Sequence, residues 1–404
     1  KNDDVLFHAA KIRQHGMVTL HPTASNAAAP MPISIRALDA DNTLPFIKAQ
    51  WLFYRNDPHW VAPLVMDRKK LLNQKVNPFY KHSALQMFLA ERDGEVVGRI
   101  AAITNDNHNA TFADNVGFFG FFECINDQAV ANALVDAAAS WLRQRGKTHI
   151  RGPVNPSMND ECGLLVDGFD GPPVILMTYN PPYYKTLLEG AGFAKAKDLY
   201  AYILDQQTFR TDKLNRMQDM LMQRYGLTIR NVELKKKEQF RADVALLKDI
   251  YNSAWEDNWG FVKMTDEEFD FLAADLKQIA NPDYVFFVES YGKPAGFCLA
   301  LPDVNQCFIH NRSGNLITGA WHLLTKKKRI NTVRIIVLGV LPDFHNKGID
   351  AVMYHVVASR ALANGVRYGE ASWILEDNEM MNRALHTTMK GTAYRTYRIF
   401  EQPL

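Results

Sequence analysis

The residues of this chain best suited to chemistry lie in the stretch 331–351, NTVRIIVLGVLPDFHNKGIDA. A β-branched run through Val333, Ile335, Ile336 and Val337 reads as a buried strand. Pro342 ends it, because proline donates nothing to a ladder. His345, Asn346, Lys347, Gly348, Ile349 and Asp350 then lead into a helical pattern from Ala351 to Ala363. A strand, a glycine-bearing turn and a helix aim unpaired N–H groups and a positive helix end at one point, which makes a phosphate cradle. From this stretch alone, an ordinary strand-to-helix turn reads equally well. A second polar concentration, Asn155, Ser157, Asn159, Asp160 and Glu161, is dense for a mere connector.

Composition bounds the setting. A chain of 404 residues, 47% hydrophobic, can bury large cores and is expected to hold two or three domains. With 46 basic and 44 acidic residues it carries no global field, so nucleic acid is not an expected partner. The runs Lys235-Lys236-Lys237 and Lys326-Lys327-Lys328-Arg329 read as solvated faces, or as contacts for anionic lipid or phosphate. Four scattered cysteines without a Cys-x-x-Cys pair suit a reducing, cytoplasmic compartment, and no metal is expected. No apolar run approaches the roughly 20 residues that span a bilayer, which leaves a soluble protein or one peripheral to the inner membrane face.

The elements that would position the turn occur twice. Residues 1–30 read as an appendage without a secretory signal. From 31 to 208 the pattern is strand, helix (Thr43–Arg55), a hairpin across Asp93-Gly94, a central strand (Asn115–Glu123) and a helix (Gln128–Arg145). A loop, a buried strand (Val174–Tyr179), a helix from Asn180 to Gly192 and a final strand follow. A helical connector occupies 209–227, and 228–404 repeats the order, with about 20 residues fewer before its last helix. A period this long is a domain duplication.

The order resembles the GCN5-related N-acetyltransferase (GNAT) fold, a mixed α/β sheet, in tandem. More narrowly, Trp60-Val61-Ala62-Pro63-Leu64, Gly152-Pro153-Val154-Asn155-Pro156-Ser157, Tyr251-Asn252-Ser253-Ala254-Trp255 and Trp373-Ile374-Leu375-Glu376-Asp377-Asn378 resemble the tandem-GNAT group of bacterial ceramide synthases and YghO-like proteins. The resemblance implies an acyl-CoA co-substrate, acetyl or long-chain, and a small-molecule or lipid amine as acceptor. It implies that His345, Asn346, Lys347, Gly348, Ile349 and Asp350 hold the pyrophosphate, with His345 in place of the family's Arg or Gln and Asp350 departing from the pattern. A backbone N–H near Leu338, Gly339 or Val340 would meet the thioester carbonyl. Glu123-Cys124-Ile125-Asn126-Asp127, at the matching place in the first half, has no glycine and two acids, so that half is expected not to bind CoA this way.

The family's general-acid tyrosine is absent: Thr387 stands four residues before Gly391, with His386 beside it. Glu370 and Glu376 are base candidates on one face of an apolar strand, Glu376 nearer its end, although either also reads as an ion-pair partner for Arg395 or Arg398. Trp255, Glu256, Asp257 and Trp259 fall where such folds wall the acceptor pocket. Rings for a chain and carboxylates for an ammonium would suit an apolar amine, and a hydrophobic staple between helices reads as well. Asn155 and Asp160 could reach the same site. A transferase of the Fem type, dependent on aminoacyl-tRNA, also uses two such domains, but the near-neutral charge argues against it. A non-catalytic CoA- or lipid-binding pseudoenzyme is favoured by Asp350 and the absent tyrosine.

Overall fold

Alternation and turn chemistry set the strands. In the first half these are β1 (Ser34–Leu38), β2 (Ser83–Arg92), β3 (Glu95–Asn105), β4 (Val116–Cys124), β5 (His149–Gly152), β6 (Val154–Asn155), β7 (Glu161–Cys162), β8 (Leu164–Asp167) and β9 (Ala194–Asp205). In the second they are β10 (Leu227–Asn231), β11 (Val285–Ser290), β12 (Lys293–Pro302), β13 (Thr332–Val340), β14 (Tyr368–Leu375) and β15 (Thr392–Pro403). Two hairpins close through paired left-handed residues, Asp93-Gly94 (φ 55° and 77°) and Tyr291-Gly292 (φ 49° and 76°), the turn whose twist matches its strands. The computed structural model describes residues 32–205, 207, 212–256 and 258–404; the appendage 1–30 lies outside the described residues.

Hydrogen-bonded neighbours run β1-β2-β3-β4-β5-β15-β9-β14-β13-β12-β11-β10 through one mixed sheet, with β8 attached to β15 and β6–β7 apart as a hairpin. Each half contributes a central parallel pair, β4–β5 and β13–β14, and each pair is flanked by the last strand of the other half. The halves therefore share a sheet, and Ile33–Leu404 form one compact unit. Helices cover the sheet. Asp127 accepts hydrogen bonds from the Ala129 and Val130 N–H groups to start Gln128–Arg143, which buries Val130, Leu134, Ala138 and Leu142. Ile349–Ala363 buries Val352, Met353, Val356 and Val357 in the second half. Each of these valine, leucine and methionine side chains contributes about 1.5–3 kcal/mol of burial.

Both parallel pairs are short. β4 follows β5 only over Val116–Phe118, and β13 follows β14 only over Thr332–Ile335; beyond these the strands part. The register also slips beside each pair, between Arg99 and Ala101 and between Leu299 and Ala300.

Some expectations are corrected. Val174–Tyr179 is not a strand: Ile175 sends its N–H to the Asp303 carboxylate and Leu176 is left-handed (φ 60°), so the segment cannot join a ladder. The last helix expected in the second half is a short one, Glu379–Arg383, followed by a wider turn at Ala384–Thr388. Three helices outside the sequence reading bear on the site: Val65–Leu71, Asp266–Leu276 and Leu316–Lys326. Thr265 and Glu268 form a capping box on the second, a legible signal.

One buried ion pair bridges the second parallel pair. Arg334 on β13 and Glu370 on β14 are register partners, almost wholly buried, with Nε 3.6 Å from Oε2. Ser372 donates to the same oxygen at 2.9 Å, and Arg334 donates to the Ile175 carbonyl at 2.7 Å. Burial pushes Glu370 up to about 7, with Arg334 opposing the shift.

Two outcomes follow. A Cβ at Gly120 would lie 1.6 Å from the Val154 carbonyl oxygen, so Gly120→Ala is expected to lose about 3 kcal/mol in chemical denaturation; a loss below about 0.5 kcal/mol would mean that residues 153–155 do not pack there. Because native Glu370 holds its proton to about pH 7 while an unfolded glutamate releases it near its ordinary value of 4.5, the contribution of Glu370 to stability declines as pH rises across that window. Glu370→Gln removes up to about 1.4 kcal/mol per pH unit from that slope, and an unchanged slope would contradict the buried protonation.

Candidate active site

The two halves enclose a cavity of about 690 Å³, within the range that holds a drug-sized ligand. Its walls come from the β6–β7 hairpin of the first half and from the segment after helix Lys237–Ala254 in the second. Ile336 and Val337 of β13 and Ser372 and Trp373 of β14 line it where those strands part; Phe121 and Glu123 of β4 line it opposite. Both gaps in the sheet thus border one chamber.

The gaps differ in what fills them. In the first half the Phe121 N–H donates to Asn155 Oδ1 at 2.6 Å, and Phe121 is itself left-handed (φ 52°). The Cys124 N–H donates to the Tyr184 hydroxyl at 3.0 Å, and the Tyr183 hydroxyl donates to the Cys124 carbonyl at 2.8 Å. The Tyr184 hydroxyl donates in turn to Glu123 Oε2 at 2.8 Å. Glu123, buried and raised above the usual carboxylate range by that burial against the pull of Arg99, completes the plug. In the second half, β13 beyond Ile335 has ladder pairing with β12 alone.

The turn after β13 has the geometry its residues suggest. Pro342–Phe344 make one tight turn, Asn346 is left-handed (φ 61°), and Gly348 (φ 74°) is the N-cap of Ile349–Ala363. No side chain caps this helix, so its first N–H groups are not satisfied by a side-chain cap. His345 Nε2 donates to the Val340 carbonyl at 2.9 Å, and Lys347 Nζ donates to the Asp343 carbonyl at 2.7 Å. Ile349 is buried, and Asp350 stands in the first helical turn, where a carboxylate suits the helix dipole. Residues 345–350 do not line the cavity, and neither do Leu338, Gly339 and Val340 at the end of β13. Trp255 lies over Gly339, its ring 2.5 Å from where a Cβ would be, so only glycine admits the indole.

The other candidates separate. Trp255, Trp259, Asn155 and Asp160 all line the cavity. Tyr251 stacks on Trp255 with ring centres 5.1 Å apart, and its hydroxyl donates to Asn159 Oδ1 at 3.1 Å, tying the second half to the hairpin. Burial pushes Asp160 up to about 7 against the 2.6 Å hydrogen bond it accepts from the Ser157 hydroxyl. Glu256 instead faces solvent in an ion pair with Lys263, and Asp257 lies outside the described residues. Glu370 is sealed behind Arg334 and Ser372. Glu376 lies beyond the end of β14, tied to Lys195 at 2.5 Å and accepting the Asp198 N–H at 3.1 Å, so it does not face the cavity. A register slip between Ala371 and Ile374 breaks the alternation that would have put both glutamates on one face. His386 is exposed on the turn before Gly391. The reading from sequence passes over Tyr251, Arg99 and Arg334, although an arginine inside an apolar strand is a visible signal at the last two.

No family model matches the chain. It is 38% identical over 359 residues to the bacterial ceramide synthase of Caulobacter vibrioides, covering 86% of this chain and 91% of that one. It is 31% identical over 376 residues to protein YghO of Escherichia coli, covering 91% and 94%. Among solved structures, a tandem GNAT protein from the clavulanic acid biosynthesis pathway matches at a TM-score of 0.53 and 11% identity, covering 92% of this chain and 98% of that one. A GCN5-related N-acetyltransferase from Sphaerobacter thermophilus matches at 0.50 and 11%, covering 92% and 96%. The shared sheet, the duplicated parting strands and these likenesses agree: the chain belongs to the family of bacterial ceramide synthase and YghO and has the tandem GNAT fold.

Proposed function

We propose that this N-acyltransferase moves an acyl group from acyl-CoA, bound at the second half (228–404), to a primary amine held in the cavity. The first half (31–208) would be a copy that has given up CoA and shapes the acceptor site. The observation that carries this is the contrast between the gaps: one is closed by Asn155, Tyr183 and Tyr184, and the other leaves β13 open on a chamber. In this reading the pyrophosphate rests on the turn His345–Asp350 and the helix end behind it. A backbone N–H near Leu338–Val340 polarises the thioester carbonyl. The amine nitrogen attacks that carbonyl carbon, the carbon–sulfur bond breaks, and the departing thiolate becomes the free thiol by taking up the proton that the nitrogen loses as the amide forms.

Asp160 is the base this geometry favours over Glu370 and Glu376, because it is part of the cavity wall. It takes the ammonium proton that would otherwise block attack. Trp255 and Trp259 would flank an apolar chain, which supports a long-chain amine such as a sphingoid base; the name of the Caulobacter relative points the same way. The residues present fit CoA at the turn His345–Asp350, where Gly348 is left-handed and the helix behind it has no side-chain cap; when bound, CoA supplies the activated acyl carbonyl.

With acetyl-CoA and palmitoyl-CoA in turn, and a long-chain amine as acceptor, Asp160→Asn is expected to lower kcat at least about 100-fold while calorimetric acyl-CoA affinity stays unchanged. Wild-type kcat should rise with pH through about 7, as Asp160 ionises, and the variant should lose that rise. Binding of neither thioester would contradict acyl transfer, and binding without turnover of any amine would favour the pseudoenzyme.

A further inference from the structure

Helix Leu316–Lys326 belongs to no part of the reaction described above, and its two faces differ. Leu316, Ala320 and Leu323 line the cavity. Ile317, Trp321 and Leu324, spaced four and three along the helix, face outward and are 78%, 65% and 69% exposed. No other helix among the described residues leaves three large apolar side chains this open. Beside it, Leu64 rests on Gly319 and leads into helix Val65–Leu71, whose Met66 is 54% exposed and also lines the cavity. Met66 and Leu316, exposed and lining at once, mark where the cavity meets the surface.

Charge points the same way. The helix runs directly into Lys326, Lys327, Lys328 and Arg329, none of which has an ion-pair partner among the described residues. From Val304 to Pro342 the sequence has no aspartate or glutamate. An apolar helical face ending in an uncompensated cationic run, beside the mouth of an apolar cavity, matches the surface of an anionic bilayer: indole and aliphatic groups at the acyl boundary, ammonium groups among the head-group phosphates. The run Lys235–Lys237 has no such apolar neighbours.

We propose that helix Leu316–Lys326 with Lys327–Arg329 docks this protein on anionic membranes and sets the cavity mouth against the bilayer, so that an apolar substrate enters without crossing water. The docking does not rest on the acyl-transfer reading, because membrane binding is measured without turnover.

The test is flotation of the full chain with phosphatidylcholine vesicles and with vesicles that also contain phosphatidylglycerol. The expected result is at least tenfold stronger partition onto the anionic vesicles, weakening with added salt. Ile317→Ser, Trp321→Ser and Leu324→Ser combined should reduce it at least tenfold, with a thermal transition like that of wild type. Replacing Lys326, Lys327, Lys328 and Arg329 by serine should do the same independently of the apolar face. Lys235→Ser, Lys236→Ser and Lys237→Ser should change it less than twofold. Equal partition onto both vesicle types, no partition, or loss in the Lys235–Lys237 variant alone would overturn the proposal. So would a wild-type dimer that the apolar variant converts to monomer while vesicle binding is unchanged.

Discussion

The structure depends on the parting of two parallel strands. Once β13 leaves β14 after Ile335, and β4 leaves β5 after Phe118, backbone N–H and C=O groups on the open sides lose their ladder. Such groups must be satisfied, because an unpaired buried one costs as much as a lost hydrogen bond or more. In the first half the chain supplies the partners, through the Asn155 amide and the Tyr183 and Tyr184 hydroxyls. In the second half, among the described residues, His345 meets one carbonyl and β13 beyond Ile335 has ladder pairing with β12 alone, which is the arrangement expected of a strand that meets a ligand. One duplicated geometry has met the same requirement in two ways, and the proposed division of labour follows from that.

Strand exchange brings the halves together. With β15 beside β5 and β9 beside β14, neither half closes its sheet alone, and Arg151 meets Glu401 across 250 residues of chain. The exchange also holds the β6–β7 hairpin opposite helix Lys237–Ala254, where Tyr251 reaches Asn159. The residue that plugs the first gap, Asn155, and the carboxyl proposed as base, Asp160, sit on one short hairpin, so the closing of one site and the furnishing of the other share a segment.

Local features were legible in the sequence and long-range ones were not. The turn at Gly348, the Asp93-Gly94 hairpin and the helix beginning at Gln128 each depend on residues within a few positions of one another. The elevated carboxyl at Glu370 was readable as an acid in an apolar strand, but its partner Arg334 comes from a neighbouring strand and the wall that seals it from Ile175. Glu376 looked apt by position alone; Lys195, 181 residues away, decides its environment. Val174–Tyr179 had the composition of a strand, yet one buried carboxylate, Asp303, took the N–H a ladder would have used.

Only the second gap is proposed to receive acyl-CoA. Hydrogen–deuterium exchange of the full chain with and without a non-hydrolysable acyl-CoA reads this directly. Slowed exchange is expected at amides within 336–351, with no change within 120–130. Protection confined to the first half, with residues 336–351 unaffected, would contradict it.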